Sequence, residues 1–399
     1  MRIRFMRVID DVPGSLLCLA LTLLDLPLRP LRSRSLEGVR NILVCKFLGL
    51  GSIVLAAPMA RELRRRFPGA KIHFLTFDEN RRIAEMLEVF DDVWTVRSAS
   101  LLAFAWDSLA CLLRCWRQGI DLAFDLEFFT RYSALMTWLS GARLRVGYQS
   151  EMVRRGSLHT HEVYFNGTKH ISRIFLALVE KLGFPSDEGR SLEAELPKLA
   201  PNAAAHDRAR QAMFQAGLDP QRPYLAVNPN ASELCLERRW LPERFAAVVE
   251  ALLKDDPSLQ LVFVGSAGER AYTESVLAQC QAGSRGADLA GRLSLEELLE
   301  LLRGARLFLT NDSGPLHLAT LAGTPTVALF GPETPALYGP LGARQKAFYA
   351  GVYCSPCLNV FTSKAAAPCK GVNICMQAIG AAEVLAAARA LSALPGRAS

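Results

Sequence analysis

The sequence lacks the features that mark a membrane-spanning, secreted or nucleic-acid-binding chain. Its most apolar stretch, residues 16–28, is shorter than the ~20 residues that a helix needs to cross a bilayer, and Asp25 and Pro27 interrupt it. No small-residue cleavage site follows, so we expect no signal peptide and a cytoplasmic chain with free thiols. The basic residues are scattered without an aromatic stacking motif, so we expect no nucleic-acid partner.

The glycine pattern of a dinucleotide-dependent oxidoreductase is also incomplete. Such an enzyme needs GxGxxG where its first strand turns into a helix. Gly49 and Gly51 follow the first predicted strand, but Val54 stands where the third glycine is required. This absence argues against an oxidoreductase.

The composition is that of a folded protein with two domains. The chain has 399 residues, of which 50% are hydrophobic and 21% charged, enough for two separate cores. Its 46 basic and 39 acidic residues give a net charge of +7. A mild basic excess suits an anionic substrate or an anionic membrane surface.

Short apolar runs alternate with helical segments twice along the chain, which predicts two α/β units with parallel sheets. We place the first unit at 41–195 and the second at 220–380. An apolar and basic extension occupies 1–40, and a helix or tail occupies 381–399. Ligand sites favour the carboxyl ends of parallel strands and the cleft at a domain boundary.

The extension contains an apolar stretch with a basic flank. Four arginines follow residues 16–28: Arg29, Arg32, Arg34 and Arg40. A helix of this kind lies in a membrane interface or packs on the protein's own surface. The sequence leaves both interpretations open.

The most informative stretch is 311–332, NDSGPLHLATLAGTPTVALFGP, which predicts a helix followed by a strand. Asp312 or Ser313 can cap the helix, and Gly314 lets its backbone approach a ligand closely. Uncommitted N–H groups and the positive end of the helix dipole suit a diphosphate, and His317 can point the same way. Capping of a structural helix would also explain Asp312 and Ser313, so the motif alone is weak evidence.

The same stretch resembles the signature of the heptosyltransferase family, glycosyltransferase family 9, which runs D-[ST]-G-P-x-H-L-A-A-x-x-G-x-P-T-V-A-L-F-G-P. The resemblance extends over about residues 41–342 and leaves the first 40 residues outside it. It implies an α/β fold of the GT-B type, in which two Rossmann-like domains face a central cleft. The 41–195 domain would bind the acceptor and the 220–380 domain the nucleotide sugar.

By this resemblance the donor diphosphate lies on the second domain. Arg238 and Arg239 would contact it, because a forked guanidinium matches phosphate oxygens. Their structural alternative is a surface ion pair or a side-chain stem packed beside Trp240. Glu269 would accept from the ribose hydroxyls, although an acid is also favoured in the first turn of the helix that follows it. The other implied substrate-binding residues of this domain are Asn230, Asp312, Ser313, Gly314 and His317.

The first domain departs from the family pattern where the catalytic base is expected. The family has an aspartate directly after the loop glycine, whereas Ser52 follows Gly51 here. A serine hydroxyl cannot deprotonate an alcohol at neutral pH. Three explanations stay open. Another carboxylate acts as the base, the acceptor is acidic enough or so positioned that it needs no strong base, or the domain has lost catalysis. The candidate carboxylates lie near the ends of strands, where each could also cap a helix or occupy a turn: Asp125, Glu127 and Asp78.

The loop after the first predicted strand is a candidate substrate contact. Lys46 could steady a phosphate or an anionic acceptor there. Gly49 and Gly51 allow a substrate to approach the backbone closely. We therefore include all three among the predicted substrate-binding residues.

The resemblance implies inverting transfer of a sugar, such as heptose from ADP-heptose, to a lipopolysaccharide-like or other glycan acceptor. It implies no cofactor and no divalent metal, because arginines and the helix start would stabilise the leaving nucleotide. The expected partners are a nucleotide-sugar donor, a glycan or glycolipid acceptor and, peripherally, the cytoplasmic face of the inner membrane. The alternative is a catalytically impaired sugar-nucleotide-binding protein, which Ser52 favours.

Four of the ten cysteines cluster towards the C-terminus: Cys354, Cys357, Cys369 and Cys375. Their CxxC spacing suits a tetrahedral metal or a disulfide, but the other gaps match no defined zinc signature. Free thiols, a structural metal site and a disulfide all stay open.

Overall fold

A computed structural model describes residues 3–31, 35–149, 153–231, 235–358, 369 and 372–393. The chain divides into two units between Pro197 and Lys198. Each unit contains a six-stranded sheet in which every described strand pair is parallel. The sequence-based prediction of two parallel α/β units agrees with this architecture.

The first sheet contains β1 Asn41–Cys45, β2 Lys71–Phe77, β3 Asp92–Val96, β4 Leu122–Asp125, β5 Leu144–Gln149 and β6 His161–Tyr164. Its strand order is β3-β2-β1-β4-β5-β6. The central strand β4 is buried along its whole length because helices cover both faces of the sheet. The chain turns in opposite directions from β1 and β4, so their carboxyl ends form a topological switch point.

The helices of the first unit are α1 Ile3–Asp25, α2 Leu50–Val54, α3 Ala57–Arg66, α4 Arg81–Met86, α5 Leu101–Gln118, α6 Arg131–Leu139 and α7 Ile171–Glu180. Local chemistry sets the ends of α5. The Ser100 hydroxyl accepts from the N–H of Ala103, and Gly119 ends the helix in the left-handed conformation, with φ 66°.

The second sheet repeats this topology. It contains β7 Tyr224–Asn228, β8 Gln260–Phe263, β9 Gly286–Asp288, β10 Leu307–Asn311, β11 Thr326–Phe330 and β12 Gln345–Tyr349. Its strand order is β12-β11-β10-β7-β8-β9, so the switch point lies between β7 and β10.

The helices of the second unit are α8 Ala203–Gln215, α9 Pro242–Asp255, α10 Arg270–Leu277, α11 Leu295–Gly304, α12 Gly314–Ala322, α13 Pro335–Tyr338, α14 Ile374–Gln377 and α15 Ala381–Ser392. The core between sheet and helices includes Phe245, Phe263 and the fully buried Trp240. Trp240 packs edge to face on Phe245, with their ring centroids 5.1 Å apart.

Two edge strands were not predicted from the sequence. β6 has no fully buried residue, and β12 has only partly buried or exposed ones. Both therefore lack the continuous apolar run that identifies the central strands.

Helix α1 begins well before the apolar stretch at 16–28, ends at Asp25 and packs on the first unit. Cys18 and Leu21 contact Ala134 and Leu135 of α6 in a small buried cluster. The opposite face of α1 is exposed and apolar. The helix therefore packs on the protein, as one interpretation of the sequence expected, and also has the exposed apolar surface that the membrane-interface interpretation requires.

A buried ion pair holds the end of α1 in place. The Asp25 carboxylate lies 3.2 Å from Nη2 of Arg145 and accepts a 2.7 Å hydrogen bond from Nε1 of Trp138. Asp25 and Arg145 are both about 1% exposed, as measured over the whole residue. Arg145 also donates to the carbonyls of Ala142 and Leu158, so its charge is fully engaged inside the unit.

None of the helices in the described ranges is both long enough and apolar enough to cross a membrane.

We expect Asp25→Asn to reduce the free energy of unfolding by about 3–5 kcal/mol, because it leaves Arg145 buried with an uncompensated charge. Urea denaturation followed by circular dichroism measures the change. Asp107→Asn is the matched control, because the Arg97–Asp107 pair is at the surface and its loss should cost much less. Equal losses for the two variants would contradict the assigned role of Asp25.

Candidate functional site

The switch point of the second unit is built from the ends of β7 and β10. Asn228, the last residue of β7, donates from Nδ2 to Oγ of Ser313 over 3.1 Å. Thr310 Oγ1 lies 3.1 Å from the same hydroxyl. These contacts join the ends of two neighbouring parallel strands at the place where doubly wound sheets bind ligands.

Helix α12 starts at this point without a side-chain cap. Ser313 occupies the N-cap position in an extended conformation, but its side chain makes no capping bond because its hydroxyl is held by the strands. Gly314 and Pro315 form the first turn, and Gly323 ends the helix with φ 73°. The N–H of Leu316 donates to the carbonyl of Ser313 and Pro315 has no N–H, so Gly314 and the positive end of the α12 dipole are what this corner offers to an anion. His317, the fourth residue of α12, is 3% exposed.

Arg238, Asp312 and Glu333 bring three charged groups to the same corner. Nη1 of Arg238 lies 3.4 Å from Oδ2 of Asp312. Burial raises the pKa of Asp312, and Arg238 opposes this shift. Burial, with help from the charge of Asp312, raises the pKa of Glu333 to about 8. At neutral pH Glu333 is thus mostly protonated, so the corner carries less negative charge than its sequence suggests.

The neighbouring Arg239 is directed by an aromatic ring. Its guanidinium carbon lies 3.7 Å from the ring centroid of Tyr272. Trp240 fixes the chain beside it, since its backbone N–H donates to Oδ1 of Asn311 over 3.1 Å and its indole donates to the carbonyl of Ile379. The arginine pair is therefore held next to β10 by a buried anchor.

Glu269 and Asn230 have structural partners in this unit. One Glu269 oxygen accepts from the backbone N–H and the hydroxyl of Ser266, each over 2.8 Å, in a capping box. The Nδ2 group of Asn230 contacts Asn228, Val264 and Thr273. Asn230 is 1% exposed, so its observed contacts are those of an internal brace.

At the switch point of the first unit a carboxylate of the chain itself fills the loop after β1. Oε1 of Glu127 accepts from Nζ of Lys46 and from the backbone N–H groups of Phe47 and Leu48, over 2.8, 2.8 and 2.9 Å. Lys46 also donates to the carbonyl of Leu48. Lys46 and Glu127 are both buried, which places them inside the loop rather than on its surface.

Asp125 is wholly buried and surrounded by donors. It is bonded to Arg155, and Oδ2 lies 3.1 Å from Oγ of Ser133 and 3.3 Å from Nε2 of His159. Burial alone would raise the pKa of Asp125, but Arg155, His159 and Ser133 outweigh it and hold the pKa below its usual value. These contacts argue against Asp125 as the acceptor's base, because a base needs access to the acceptor hydroxyl.

Ser52 closes its own turn. Its hydroxyl donates to the carbonyls of Leu48 and Gly49 over 3.0 and 2.9 Å. Gly49 has φ 86°, and a Cβ atom on it would lie 2.7 Å from Oγ of Ser52, so glycine is required there. Gly51 is buried in the first turn of α2.

The structure brings several of the predicted residues together in each unit, whereas Arg239 stacks on Tyr272 and Glu269 closes its own capping box. Arg238, Asp312, Ser313 and Gly314 meet at the second switch point, and Lys46, Gly49, Gly51, Ser52, Asp125 and Glu127 lie around the first. The sequence interpretation missed Asn228, Tyr272 and Glu333. Of these three, only Glu333 could have been found from the sequence, because it directly follows the motif that ends at Pro332.

The four clustered cysteines are free thiols in the structure. Burial, followed by the neighbouring thiols of Cys375, Cys369 and Cys354, raises the pKa of Cys357 to about 11. Across the described residues no group of three or more His, Cys, Asp or Glu side chains is arranged to hold a metal ion.

Known proteins share this architecture and sequence pattern. The lipopolysaccharide heptosyltransferase 3 of Escherichia coli is 24% identical over 76% of this chain and 87% of its own length. The crystal structure of a family 9 glycosyl transferase from Veillonella parvula matches with a TM-score of 0.70 and 21% identity, over 90% of this chain and 99% of its own. The E. coli ADP-heptose lps heptosyltransferase II matches with a TM-score of 0.67 and 20% identity, over 88% and 98%.

These solved structures confirm the predicted α/β fold of the GT-B type. The family model described as glycosyltransferase family 9 (heptosyltransferase) matches residues 117–366, more than half of the chain. The resemblance expected from the 311–332 motif is therefore confirmed, and so is the prediction of an enzyme. The chain belongs to glycosyltransferase family 9, the heptosyltransferases.

Proposed function

We propose that this enzyme transfers a heptose from ADP-heptose to a lipopolysaccharide-like glycan acceptor, with inversion at the anomeric carbon and without a cofactor or metal. The start of α12 is the observation that carries the proposal. It offers an uncapped helix end at a switch point, beside Arg238, as a diphosphate requires. The names of the similar proteins, which specify lipopolysaccharide and ADP-heptose, support the choice of substrates.

In this proposal the second unit binds the donor and stabilises its leaving group. The departing diphosphate gains negative charge in the transition state. The α12 dipole and the two arginines are fixed in advance, so they can stabilise that charge without reorganising. A protonated Glu333 avoids repulsion in the same corner and can donate a hydrogen bond to a phosphate oxygen.

The first unit would bind the acceptor, and its general base is the open part of the mechanism. Ser52 cannot serve, and Asp125 and Glu127 are both fully buried; donors surround Asp125, and Lys46 and two amides hold one oxygen of Glu127. Of the carboxylates considered, Asp78 at the end of β2 has an exposed side chain, paired with Arg81. We propose Asp78 as the base, because an accessible carboxylate can take the proton of the acceptor hydroxyl.

A sugar-nucleotide-binding protein with impaired turnover is the second candidate. The observation that favours it is Ser52, whose hydroxyl is bonded within its own turn. Release of ADP from ADP-heptose in the presence of a lipopolysaccharide-core extract distinguishes the two. Turnover supports the proposal, whereas tight binding without ADP release supports the second candidate.

We also propose that the enzyme works at the cytoplasmic face of the inner membrane. A glycan acceptor with a lipid anchor lies at such a surface, and the chain has a net charge of +7 that suits anionic headgroups.

Removal of the Arg238 guanidinium should weaken ADP binding. We expect Arg238→Ala to raise the dissociation constant by about 10-fold to 100-fold, since a charge-assisted bond contributes about 1.5–3 kcal/mol. Calorimetric titration with ADP measures it, after circular dichroism has shown that the variant is folded. Arg208→Ala is the control, because Arg208 lies on α8 and pairs with Glu297. An unchanged affinity in Arg238→Ala would exclude this phosphate contact.

The affinity for ADP should depend on pH through Glu333. Its raised pKa of about 8 means that it is protonated below that pH and ionised above it. Ionisation places a negative charge beside Asp312, so the affinity should fall as the pH rises through about 8. Glu333→Gln, which stays neutral, should lose this fall. The assignment is wrong if both proteins show the same pH profile in calorimetric titrations.

The proposed base predicts different effects for two residues of the first unit. Asp78→Asn should reduce kcat by at least about 10²-fold, the usual contribution of a general base. Ser52→Ala should leave kcat within a few-fold of the original, because its hydroxyl only closes a turn. Steady-state ADP release measures both. Normal turnover in Asp78→Asn would require another base.

A further inference from the structure

Most of the exposed large apolar side chains of the described chain lie on α1, on the turn that follows it and on α5. Those on α1 and its turn are Val12, Leu16, Leu17, Leu19, Leu23, Leu24 and Leu26. Those on α5 are Leu101, Leu102, Trp106, Leu109, Leu113 and Trp116. Monomeric soluble proteins rarely collect so many exposed apolar groups on two helices, so this surface indicates a binding function.

The spacing of these residues forms a stripe on each helix. On α1 the exposed positions recur every three or four residues, from Val12 through Leu16 and Leu19 to Leu23. On α5 the same spacing runs from Leu102 to Trp116. This periodicity keeps the apolar side chains on the outer face of each helix.

Both helices pack on α6, so they lie on the same side of the sheet. Cys18 and Leu21 of α1 contact Ala134 and Leu135. Separately, Ser108 of α5 bonds to the hydroxyl of Tyr132, and the Trp116 indole donates to the carbonyl of Leu139. We call the outward residues of the two stripes the α1–α5 face.

Acidic residues of these helices turn away from solvent or are neutralised. On α1, Asp10 and Asp11 pair with Arg131. Asp25 pairs with Arg145 inside the unit, as described above. On α5, Asp107 pairs with Arg97. The acidic groups of α1 are thus occupied at its contact with the unit rather than on the α1–α5 face.

Basic residues on α5 remain available. Arg114 and Arg117 are exposed and form no ion pair with any residue in the described part of the chain. The α1–α5 face therefore combines apolar stripes, two tryptophans and exposed positive charge. Tryptophan is enriched at membrane–water boundaries because one end of its ring is apolar and the other is polar.

We propose that the α1–α5 face docks on the surface of a lipid bilayer that carries anionic headgroups. The helices lie in the plane of the interface, with Leu16, Leu23 and Trp106 inserted among the lipids and Arg114 and Arg117 on the headgroups. A second copy of the chain fits less well. A two-fold contact through this face would bring its own arginines together without acidic partners.

This inference specifies the membrane contact of the proposed function, but it rests on the surface alone. It holds whichever sugar or acceptor the enzyme uses. Vesicle binding is measured without donor or acceptor, so a failure of the sugar assignment and a failure of the docking surface give separate results.

The test uses the full-length protein in flotation with vesicles of phosphatidylethanolamine and phosphatidylglycerol. We expect Leu16→Glu combined with Leu23→Glu, and Trp106→Glu combined with Leu113→Glu, each to reduce the partition coefficient by at least about tenfold, because buried apolar area determines interfacial binding. Arg114→Glu with Arg117→Glu should remove the preference for these vesicles over phosphatidylcholine ones. Phe214→Glu, at an equally exposed aromatic of the second unit, is the control and should bind normally.

A second measurement does not depend on variants. The tryptophan fluorescence of the unmodified protein should be quenched by vesicles that contain brominated lipid, because Trp106 and Trp116 enter the interface. The proposal is overturned if the unmodified protein does not float with the anionic vesicles or shows no such quenching. It is also overturned if the leucine variants bind vesicles normally but change a dimer into a monomer in light scattering, which would identify a second copy as the partner.

Discussion

The hydrogen bonds between Asn228, Thr310 and Ser313 are the interaction on which the proposed donor site depends. They tie up the one side chain that would otherwise cap α12, and they do so from the ends of two neighbouring strands. The positive end of the helix is therefore left without a side-chain cap at a fixed position. Arg238 and the buried Trp240 are arranged around that position, so the site's geometry follows from a short polar contact within the sheet.

The two units have the same strand order but use their switch points differently. In the second unit the helix start is left open. In the first, Glu127 accepts from Lys46 and from two backbone amides, and so occupies the place where an external anion would be held. A nucleotide phosphate would have to displace a buried ion pair there, which is costly. This asymmetry supports the proposal that the anionic donor binds to the second unit.

Much of the fold could be predicted because it depends on local patterns. The central strands are continuous apolar runs, and the 311–332 stretch contains its own helix start and stop. The edge strands β6 and β12 have no such run and were missed. Contacts between distant residues could not be predicted either: Asp25 meets Arg145 across 120 positions and Lys46 meets Glu127 across 81. Those contacts decide that Glu127 is a brace and that α1 is rigidly attached.

Because Asp25, Trp138 and Arg145 join α1 to the sheet layer, the helix cannot swing as a tether would. An attachment through a flexible tail would leave a bound enzyme free to tumble beneath the bilayer. A rigid attachment through two helices instead fixes a single pose of the first unit. A lipid-linked substrate would then meet the same side of the protein at every encounter, and its search would be reduced to diffusion in two dimensions.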